Sequence, residues 1–348
     1  MDSNSLLKGL RLLSLYGRRS RLVSTTSRSF FASTSLTYSR AHKSSRPNYS
    51  TMATNTPMQN LAVVSGFTTA HRDTYPFISL DKTNLSGKSV FVAGASKGIG
   101  RETALSLAKA GCSKIAIGAR SDLSSLAEEM VKAAADAGKS APQLVVLKLD
   151  VTSEDSVQSA ADKIAEEFGG VLDVLVCNAG NLEKWVPLAE SNPAEWWQSY
   201  EINVKGTYLL NRAFIPLLLK SETKTSILTT SYGALGVRYG ASGYQSSKFA
   251  VCRLAEFIAS EYEKQGIVCF AIHPGGVRTE LALNMPKEMH ALLHDEPALP
   301  AHTIVWLSKE HRPWLSGRFV SVAWDMEELE SKKDQIVEGN LLKFRMVV

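Results

Sequence analysis

The sequence is poor in cysteine. It has four cysteines in 348 residues, and no two of them form a Cys-x-x-Cys pair. A disulfide framework uses more cysteines in a shorter chain, and a structural zinc site uses closely spaced pairs. We therefore expect no metal site and a reducing compartment, in which the four thiols act as small buried hydrophobes: Cys112, Cys177, Cys252 and Cys269.

Long apolar runs are also missing. No stretch approaches the ~20 apolar residues that a membrane-spanning helix requires, so we expect no membrane span. The formal charge of +5 conceals an imbalance, because residues 1–51 hold nine Lys or Arg and a single acid, Asp2. Without them, 30 basic and 33 acidic residues remain, and the body carries −3. This charge gives no electrostatic case for binding nucleic acid.

Residues 1–51 contain no Glu and are rich in Ser, Thr and Arg. Leucines recur at helical spacing among basic residues near the start: Leu6, Leu7, Leu10 and Leu13. This composition is typical of a mitochondrial transit peptide. The alternative is a disordered extension before a true start at Met52. The two interpretations predict a mitochondrial and a cytoplasmic protein respectively, and in both we expect residues 1–51 to be dispensable for folding and catalysis.

From residue 85 onward, short apolar segments alternate with amphipathic ones. The pattern predicts strands at 89–93, 114–118, 143–149, 171–177, 226–230, 268–273 and 315–322. It predicts helices at 101–110, 122–137, 153–168, 196–219 and 244–264. Such alternation indicates an α/β fold, a single Rossmann-type doubly wound parallel sheet covered on both faces. We expect this domain at residues 85–325, after a lead-in at 52–84 and before a C-terminal tail at 326–348.

A glycine-rich turn follows the first predicted strand. Gly94, Gly98 and Gly100 have the spacing G-x-x-x-G-x-G, with a helix directly after them. Glycines at such a turn let the backbone approach a pyrophosphate, and the helix N-terminus faces its negative charge. A turn between the first strand and the first helix is a strong indication of dinucleotide binding.

The end of the second predicted strand favours NADP over NAD. NAD-binding chains often carry an acid there for the ribose 2′-hydroxyl, whereas this chain has Gly118-Ala119-Arg120-Ser121. Arg120, together with Lys97 in the glycine turn, suits a 2′-phosphate. The alternative is that both are ordinary solvent-facing cations.

Ser231, Tyr244 and Lys248 form a candidate acid/base unit. A phenol titrates near 10 and acts at neutral pH when a neighbouring cation stabilises its anion. Tyr244 and Lys248 are four residues apart, so they share one face of a helix that begins at Tyr244. Ser231, at a strand end, would hold the substrate oxygen. Because Tyr-x-x-x-Lys is common by chance, the alternative is a solvated helix face.

Taken together, the motifs resemble the short-chain dehydrogenase/reductase family over roughly residues 85–325. The matching residues occur in order: Gly94, Gly98, Gly100, Asn178-Ala179-Gly180, Ser231, Tyr244, Lys248 and Pro274-Gly275. The resemblance implies one Rossmann domain that binds a nicotinamide cofactor and substrate, and assembly as a homodimer or homotetramer. Segments 81–88 and 316–325 also resemble fungal members, some of which serve secondary metabolism.

The resemblance also implies individual roles. It implies that Asn203 anchors a water of the proton relay, Ser231 orients the carbonyl, and Tyr244 is the general acid/base. It implies that Lys248 holds the nicotinamide ribose and lowers the pKa of the phenol. The residues that it implies for NADP binding are Gly94, Ser96, Lys97, Gly98, Ile99, Gly100, Arg120, Asp150, Val151, Asn178, Ala179, Gly180, Tyr244, Lys248, Pro274, Gly275, Val277 and Thr279.

The substrate pocket is expected from three loops, at 181–187, 232–239 and 281–294. They hold Trp185, Tyr239, Leu283 and Met289 and few charges, which predicts an apolar small-molecule alcohol, ketone or aldehyde. An alternative enzyme is an acyl-carrier ketoreductase of lipid synthesis, which would need a basic docking patch. An alternative of another class is a non-catalytic NADP(H)-binding protein, although such a protein has no need of Ser231, Tyr244 and Lys248 together.

Overall fold

The computed structural model describes residues 66–346. The predictions for residues 1–51, and for the first part of the lead-in, lie outside the described residues. Seven strands form one sheet, in chain order β1 Ser89–Ala93, β2 Lys114–Ala119, β3 Gln143–Lys148, β4 Val174–Cys177, β5 Thr225–Thr229, β6 Val268–His273 and β7 Phe319–Ser321.

Nine α-helices occur within residues 66–346, together with several short 3₁₀ turns and one π-helical turn. The helices are α1 Gly98–Lys109, α2 Ser124–Asp136, α3 Glu154–Phe168, α4 Pro193–Tyr200, α5 Gly206–Leu218, α6 Ser242–Glu261, α7 Ala298–Lys309, α8 Met326–Ser331 and α9 Lys333–Glu338. None of these helices has the length and apolar content needed to cross a membrane.

The sheet is parallel throughout and has the strand order β3-β2-β1-β4-β5-β6-β7. This confirms the predicted doubly wound α/β fold. The direction of winding reverses beside β1, where Ala93 pairs with Gly118 of β2 and Cys177 of β4. In such sheets, ligands bind at the carboxyl ends of the strands at this reversal.

Two groups of helices cover the sheet. α1 packs against α2 and α7, whereas α3 packs against α5, and α6 packs against β5 and β6. β1 is buried along its whole length, as expected for a strand covered on both faces. The four cysteines are buried and unpaired, as predicted.

The helix α7 was not predicted from the sequence. Nine of its twelve residues are buried: Leu299, Pro300, Ala301, Thr303, Ile304, Val305, Trp306, Leu307 and Ser308. A helix that is covered on nearly every side has no polar face, so its apolar residues do not recur at the helical period. Its contacts with α1 and with the turn at Pro76–Ile78 explain why the segment is so apolar.

The single helix predicted at 196–219 is divided in the structure. α4 begins after Asn192, whose side chain accepts hydrogen bonds from the N–H groups of Ala194 and Glu195. A π-helical turn, Glu201–Lys205, then separates α4 from α5. π-turns are rare and occur often at functional sites, and this one carries Asn203.

The last predicted strand, at 315–322, is shorter in the structure. The segment Pro313–Leu315 forms a 3₁₀ turn, and Gly317 has a φ of +73°. This left-handed conformation breaks the extended backbone. β7 therefore consists of Phe319–Ser321 alone.

The two ends of the described chain pack together. The Phe67 ring lies 5.3 Å from that of Trp324, centroid to centroid. The backbone N–H of Met326 donates to the Tyr75 hydroxyl at 2.7 Å, and His71 Nε2 lies 2.8 Å from Asp325 Oδ2. The residues just before the first strand are thus held by the turn that leads into α8.

We expect Trp324→Ala to lower the free energy of unfolding by about 3–5 kcal/mol, because Trp324 is 1 % exposed and its loss leaves a cavity. Urea denaturation measures this, and hydrogen exchange should show faster exchange at residues 66–75. Trp197→Ala is the matched control, because that side chain is 55 % exposed. Equal losses in the two variants would contradict the packing role of Trp324.

Candidate active site

A cleft opens along the carboxyl ends of β1, β2, β4 and β5. Its wall contains most residues that the sequence predicted for cofactor binding: Gly94, Ser96, Lys97, Gly98, Ile99, Arg120, Asp150, Val151, Asn178, Ala179, Gly180, Tyr244, Lys248, Pro274 and Thr279. Residues outside the predicted cofactor-binding set also line it: Gly118, Ala119, Leu149, Ile202, Thr229, Thr230, Glu280 and Leu281. Gly100, Asn203, Gly275 and Val277 are not part of the wall, and Ser231 lies beside it, next to Tyr244.

The glycine turn is pressed against the loop that follows β4. Gly94 has a φ of +94°, and a Cβ there would lie 2.6 Å from the backbone nitrogen of Ala179. A Cβ on Gly100 would lie 2.1 Å from the carbonyl oxygen of Gly94, which accepts a hydrogen bond from Asn178 Nδ2 at 2.8 Å. Gly94 and Gly100 are therefore required by the close packing of these two loops.

The first turn of α1 faces the cleft. Its N-cap residue, Lys97, makes no side-chain hydrogen bond to the helix. The first N–H groups of a helix lack partners within it, and together with the helix dipole they attract an anion. An uncapped turn beside a glycine loop fits the pyrophosphate of a dinucleotide.

Charged residues stand at the end of the cleft beside β2 and β3. Arg120 is exposed directly after β2. Hydrogen bonds from the Thr152 N–H and hydroxyl, with a smaller effect of Arg120, lower the pKa of Asp150. Lys97 Nζ lies 2.6 Å from Glu280 Oε2 in an exposed ion pair. Lys97 thus has an acidic partner within the protein, a contact that the sequence did not predict.

At the other end of the cleft, α6 carries the candidate acid/base unit. Tyr244 is in its first turn, and Ser231 lies close enough to its hydroxyl to lower the pKa of the phenol. Ser231 Oγ also accepts the N–H of Gly233 at 3.0 Å. Lys248 Nζ lies 5.7 Å from the centroid of the Tyr244 ring and donates to the carbonyl oxygen of Thr229 at 2.9 Å. The fold therefore brings the three predicted residues together.

Burial governs the titration of these groups. Desolvation raises the pKa of Tyr244, and the hydrogen bond from Ser231 opposes it. Desolvation also lowers the pKa of Lys248 to about 8. In the free protein, the pKa of Tyr244 is therefore raised, whereas the sequence analysis expected Lys248 to lower it. Tyr244 is accordingly a protonated hydrogen-bond donor at neutral pH.

Asn203 links the loop after β4 to α6. It is fully buried in the π-turn. Its Oδ1 accepts the N–H of Asn181 at 2.8 Å, and its Nδ2 donates to the Asn181 carbonyl and to Ser247 Oγ, both at 2.9 Å. Ser247 Oγ in turn donates to the carbonyl oxygen of Tyr244 at 2.7 Å. Both N–H groups of the Asn203 amide are thus used within the protein, and its role toward a water stays a prediction.

The segment after β6 is fixed by Asp295. Gly275 has a φ of +83°, and the N–H of Gly276 donates to Asp295 Oδ2 at 2.6 Å. Val277 forms a parallel bridge with Asp295 and is buried. Of the predicted residues here, Pro274 and Thr279 line the cleft, while Gly275 and Val277 hold the segment in place.

Sequence reasoning missed the acid closest to the candidate catalytic group. Glu183 is buried, and its Oε1 accepts the backbone N–H of Tyr244 at 2.8 Å. No sequence signal relates the two, because 61 residues separate them.

A parallel sheet of this order, with a glycine turn at its reversal point, is the architecture of a dinucleotide-binding enzyme. The family model for short chain dehydrogenases matches residues 88–290. The chain belongs to the short-chain dehydrogenase family, whose members are oxidoreductases that use a nicotinamide cofactor.

Relatives and solved structures agree with this. A short chain dehydrogenase of Monascus purpureus is 50 % identical over 287 residues, which cover 82 % of this chain and 98 % of that protein. One from Emericella variicolor is 38 % identical, over 80 % of this chain and 95 % of its own. The crystal structure of a short chain dehydrogenase from Shigella flexneri complexed with NADP has a TM-score of 0.62 and 29 % identity, and covers 70 % of this chain and 99 % of that one.

We expect Gly100→Ala to lower both stability and affinity for a nicotinamide dinucleotide. The added methyl group meets backbone atoms that cannot move aside, and overpacking of this kind costs about 1–3 kcal/mol. Thermal unfolding and cofactor titration by fluorescence measure the two effects. Gly236→Ala is the control, since its Cβ would meet nothing within 4 Å. Unchanged cofactor affinity in Gly100→Ala would contradict the assignment of the glycine turn.

Proposed function

We propose that the protein is an NADP(H)-dependent oxidoreductase that interconverts a ketone or aldehyde and an alcohol on an apolar small molecule. The observation that carries the proposal is the grouping of Tyr244, Ser231 and Lys248 at one end of a cleft that continues to the uncapped N-terminus of α1. A proton donor and a dinucleotide-sized groove in one cleft are what this reaction requires.

The chain supplies the proton and holds the substrate oxygen. The bound nicotinamide cofactor supplies the hydride that reduces the carbonyl carbon, or takes it up in the reverse reaction. As the carbonyl π bond breaks, negative charge grows on the oxygen, and the Ser231 hydroxyl donates to it. Tyr244 transfers its phenolic proton to the same oxygen and completes the alcohol.

Lys248 has two roles in this scheme. One of its three N–H donors is used by the Thr229 carbonyl, which leaves the others for the ribose hydroxyls of the cofactor. Its positive charge stabilises the tyrosinate that forms once the proton has left. The pKa of about 8 keeps most of the ammonium charged at neutral pH.

We infer that the cofactor is NADP(H), from the adenosine end of the cleft. Arg120 follows β2 where an acid would favour NAD, and it lines the cleft. Because Lys97 is already paired with Glu280, Arg120 carries more of the interaction with a 2′-phosphate. The Shigella flexneri structure contains NADP, and a short chain dehydrogenase of Escherichia coli, 29 % identical with a TM-score of 0.61, contains NADPH.

Apolar surface beside the cleft supports an apolar substrate. Leu281 lines the cleft, and the predicted substrate loops expose Val237, Tyr239 and Leu283. The fungal origin of the relatives supports a place in secondary metabolite biosynthesis. Exposed aromatic side chains on α4, α5 and α6 suit a homo-oligomer, a dimer or tetramer: Trp197, Tyr208, Phe249 and Phe257.

We expect Tyr244→Phe to reduce kcat by about 10²–10⁴-fold with little change in NADPH affinity, because only the transferred proton is lost. Consumption of NADPH against a panel of apolar ketones measures the rate, and fluorescence titration measures the affinity. Tyr208→Phe, an exposed tyrosine on α5, is the matched control. If the Tyr244 variant keeps more than about a tenth of the wild-type kcat, Tyr244 is not the acid.

We expect Arg120→Asp to weaken NADPH binding by about tenfold or more while sparing NADH, because a charge-assisted contact with the 2′-phosphate becomes a repulsion. Dissociation constants for both cofactors measure the change. Lys264→Asp applies the same charge change to an exposed residue before β6, at the opposite edge of the sheet, and should leave the preference unaltered. Equal loss for NADPH and NADH in the Arg120 variant would refute recognition of the phosphate.

A further inference from the structure

Glu183 places a buried carboxylate beside Tyr244. It lies in the loop after β4 and is 6 % exposed. Its Oε1 accepts the backbone N–H of Tyr244 at 2.8 Å, and its Oε2 accepts the Ser199 hydroxyl of α4 at 2.5 Å. Each oxygen is therefore held by a different element.

This carboxylate lacks a cationic partner. The salt bridges found among residues 66–346 do not include Glu183. A buried carboxylate without a cation is costly, and hydrogen bonds offset the cost only in part. A neutral acceptor would make the same two hydrogen bonds at lower cost, so the negative charge itself calls for an explanation.

The first turn of α6 has no cap of its own. Its N-cap residue is Ala241, where helices usually carry Ser, Thr, Asp or Asn. Glu183 supplies the missing acceptor from a distant loop, and its charge suits the positive end of the helix dipole.

The same turn is tightly enclosed. A Cβ on Gly243 would lie 3.0 Å from Cδ and Oε1 of Glu183 and 3.1 Å from Cδ1 of Trp196. Trp196 Nε1 donates to Ser242 Oγ at 2.9 Å. These contacts restrict the backbone that carries Tyr244 to one position.

We propose that Glu183 is a positioning residue for Tyr244, and that its carboxylate both fixes the first turn of α6 and holds the phenol in its protonated, donating form. The inference rests on the proposed function in that it takes Tyr244 as the proton donor. It assigns to Glu183 no contact with substrate or cofactor.

The groups that face Tyr244 are few. Ser231, after β5, lies near the phenol and opposes the rise in its pKa, and Lys248 Nζ of α6 lies 5.7 Å from the centroid of the ring. From the π-turn comes the neutral amide of Asn203, while Glu201 and Lys205 of that turn pair with each other. Glu183 is the charged group that raises the pKa of the phenol, in the same direction as burial. Removing its charge should therefore lower that pKa.

The test measures ionisation of residue 244 directly. 3-Fluorotyrosine is incorporated at position 244, and its ¹⁹F chemical shift is followed against pH in otherwise wild-type protein and in Glu183→Gln. Gln keeps an acceptor for the Tyr244 N–H and a partner for Ser199, so the fold is retained and only the charge is lost. We expect the titration midpoint to move to lower pH in Glu183→Gln, because the charge that raises the pKa of the phenol is lost.

Two further variants complete the comparison. Glu195→Gln, an exposed carboxylate on α4 near the same loop, should leave the midpoint unchanged. Glu183→Asp keeps the charge but shortens the reach, so its midpoint should stay close to wild type, and circular dichroism checks that each variant is folded. A midpoint that is the same in Glu183→Gln and wild type, or that falls equally in the Asp and Gln variants, would overturn the proposal.

The measurement needs no substrate, so it is independent of whether Tyr244 is the acid. With an active ketone substrate, the high-pH limb of kcat/KM in Glu183→Gln should move to lower pH with the ¹⁹F midpoint. If the midpoint moves and Tyr244→Phe remains active, the proposed function fails while the effect of Glu183 stands. If Tyr244→Phe is inactive and the midpoint does not move, the proposed function stands and the proposal for Glu183 fails.

Discussion

Everything in the site depends on the contact between two backbone segments at the reversal of the sheet. Gly94 and Gly100 let the turn after β1 lie against Asn178 and Ala179 after β4, at distances that no side chain permits. That contact aims the first turn of α1 into the cleft and starts the loop that leads to Glu183. Because parallel neighbours end at the same edge of the sheet, β5 and β6 then deliver Ser231 and the Pro274 segment to the same opening.

The helix that carries Tyr244 is held in position by residues outside itself. α6 has no local cap, and Glu183, Ser199, Trp196 and Asn203 attach its first turn to α4, the π-turn and the loop after β4. Burial then sets the protonation states: it raises the pKa of Tyr244 and lowers that of Lys248. A neutral phenol beside a buried cation is suited to donating a proton, since the cation stabilises the anion that remains.

The sequence predicted the fold well wherever apolar residues recur at a regular spacing. β6 has the predicted bounds, and α1 to α3 start and end within three residues of prediction, because strands buried on both faces and half-buried helices leave clear patterns. It failed at α7, where burial on all sides erased the period. It also failed at the π-turn, because one extra residue per turn leaves no compositional trace.

The sequence by itself determined the family, the glycine turn and the identities of Ser231, Tyr244 and Lys248, because these depend on residue type and on spacing along one helix or one strand–turn–helix unit. Only the tertiary structure decided which neighbours those residues have. The pairing of Lys97 with Glu280, the hydrogen bond from Gly276 to Asp295, and the hydrogen bond from Tyr244 to Glu183 join residues distant along the chain. The tertiary structure also decided the direction of each pKa shift. Desolvation depends on what the folded chain packs around a group and not on its neighbours in sequence.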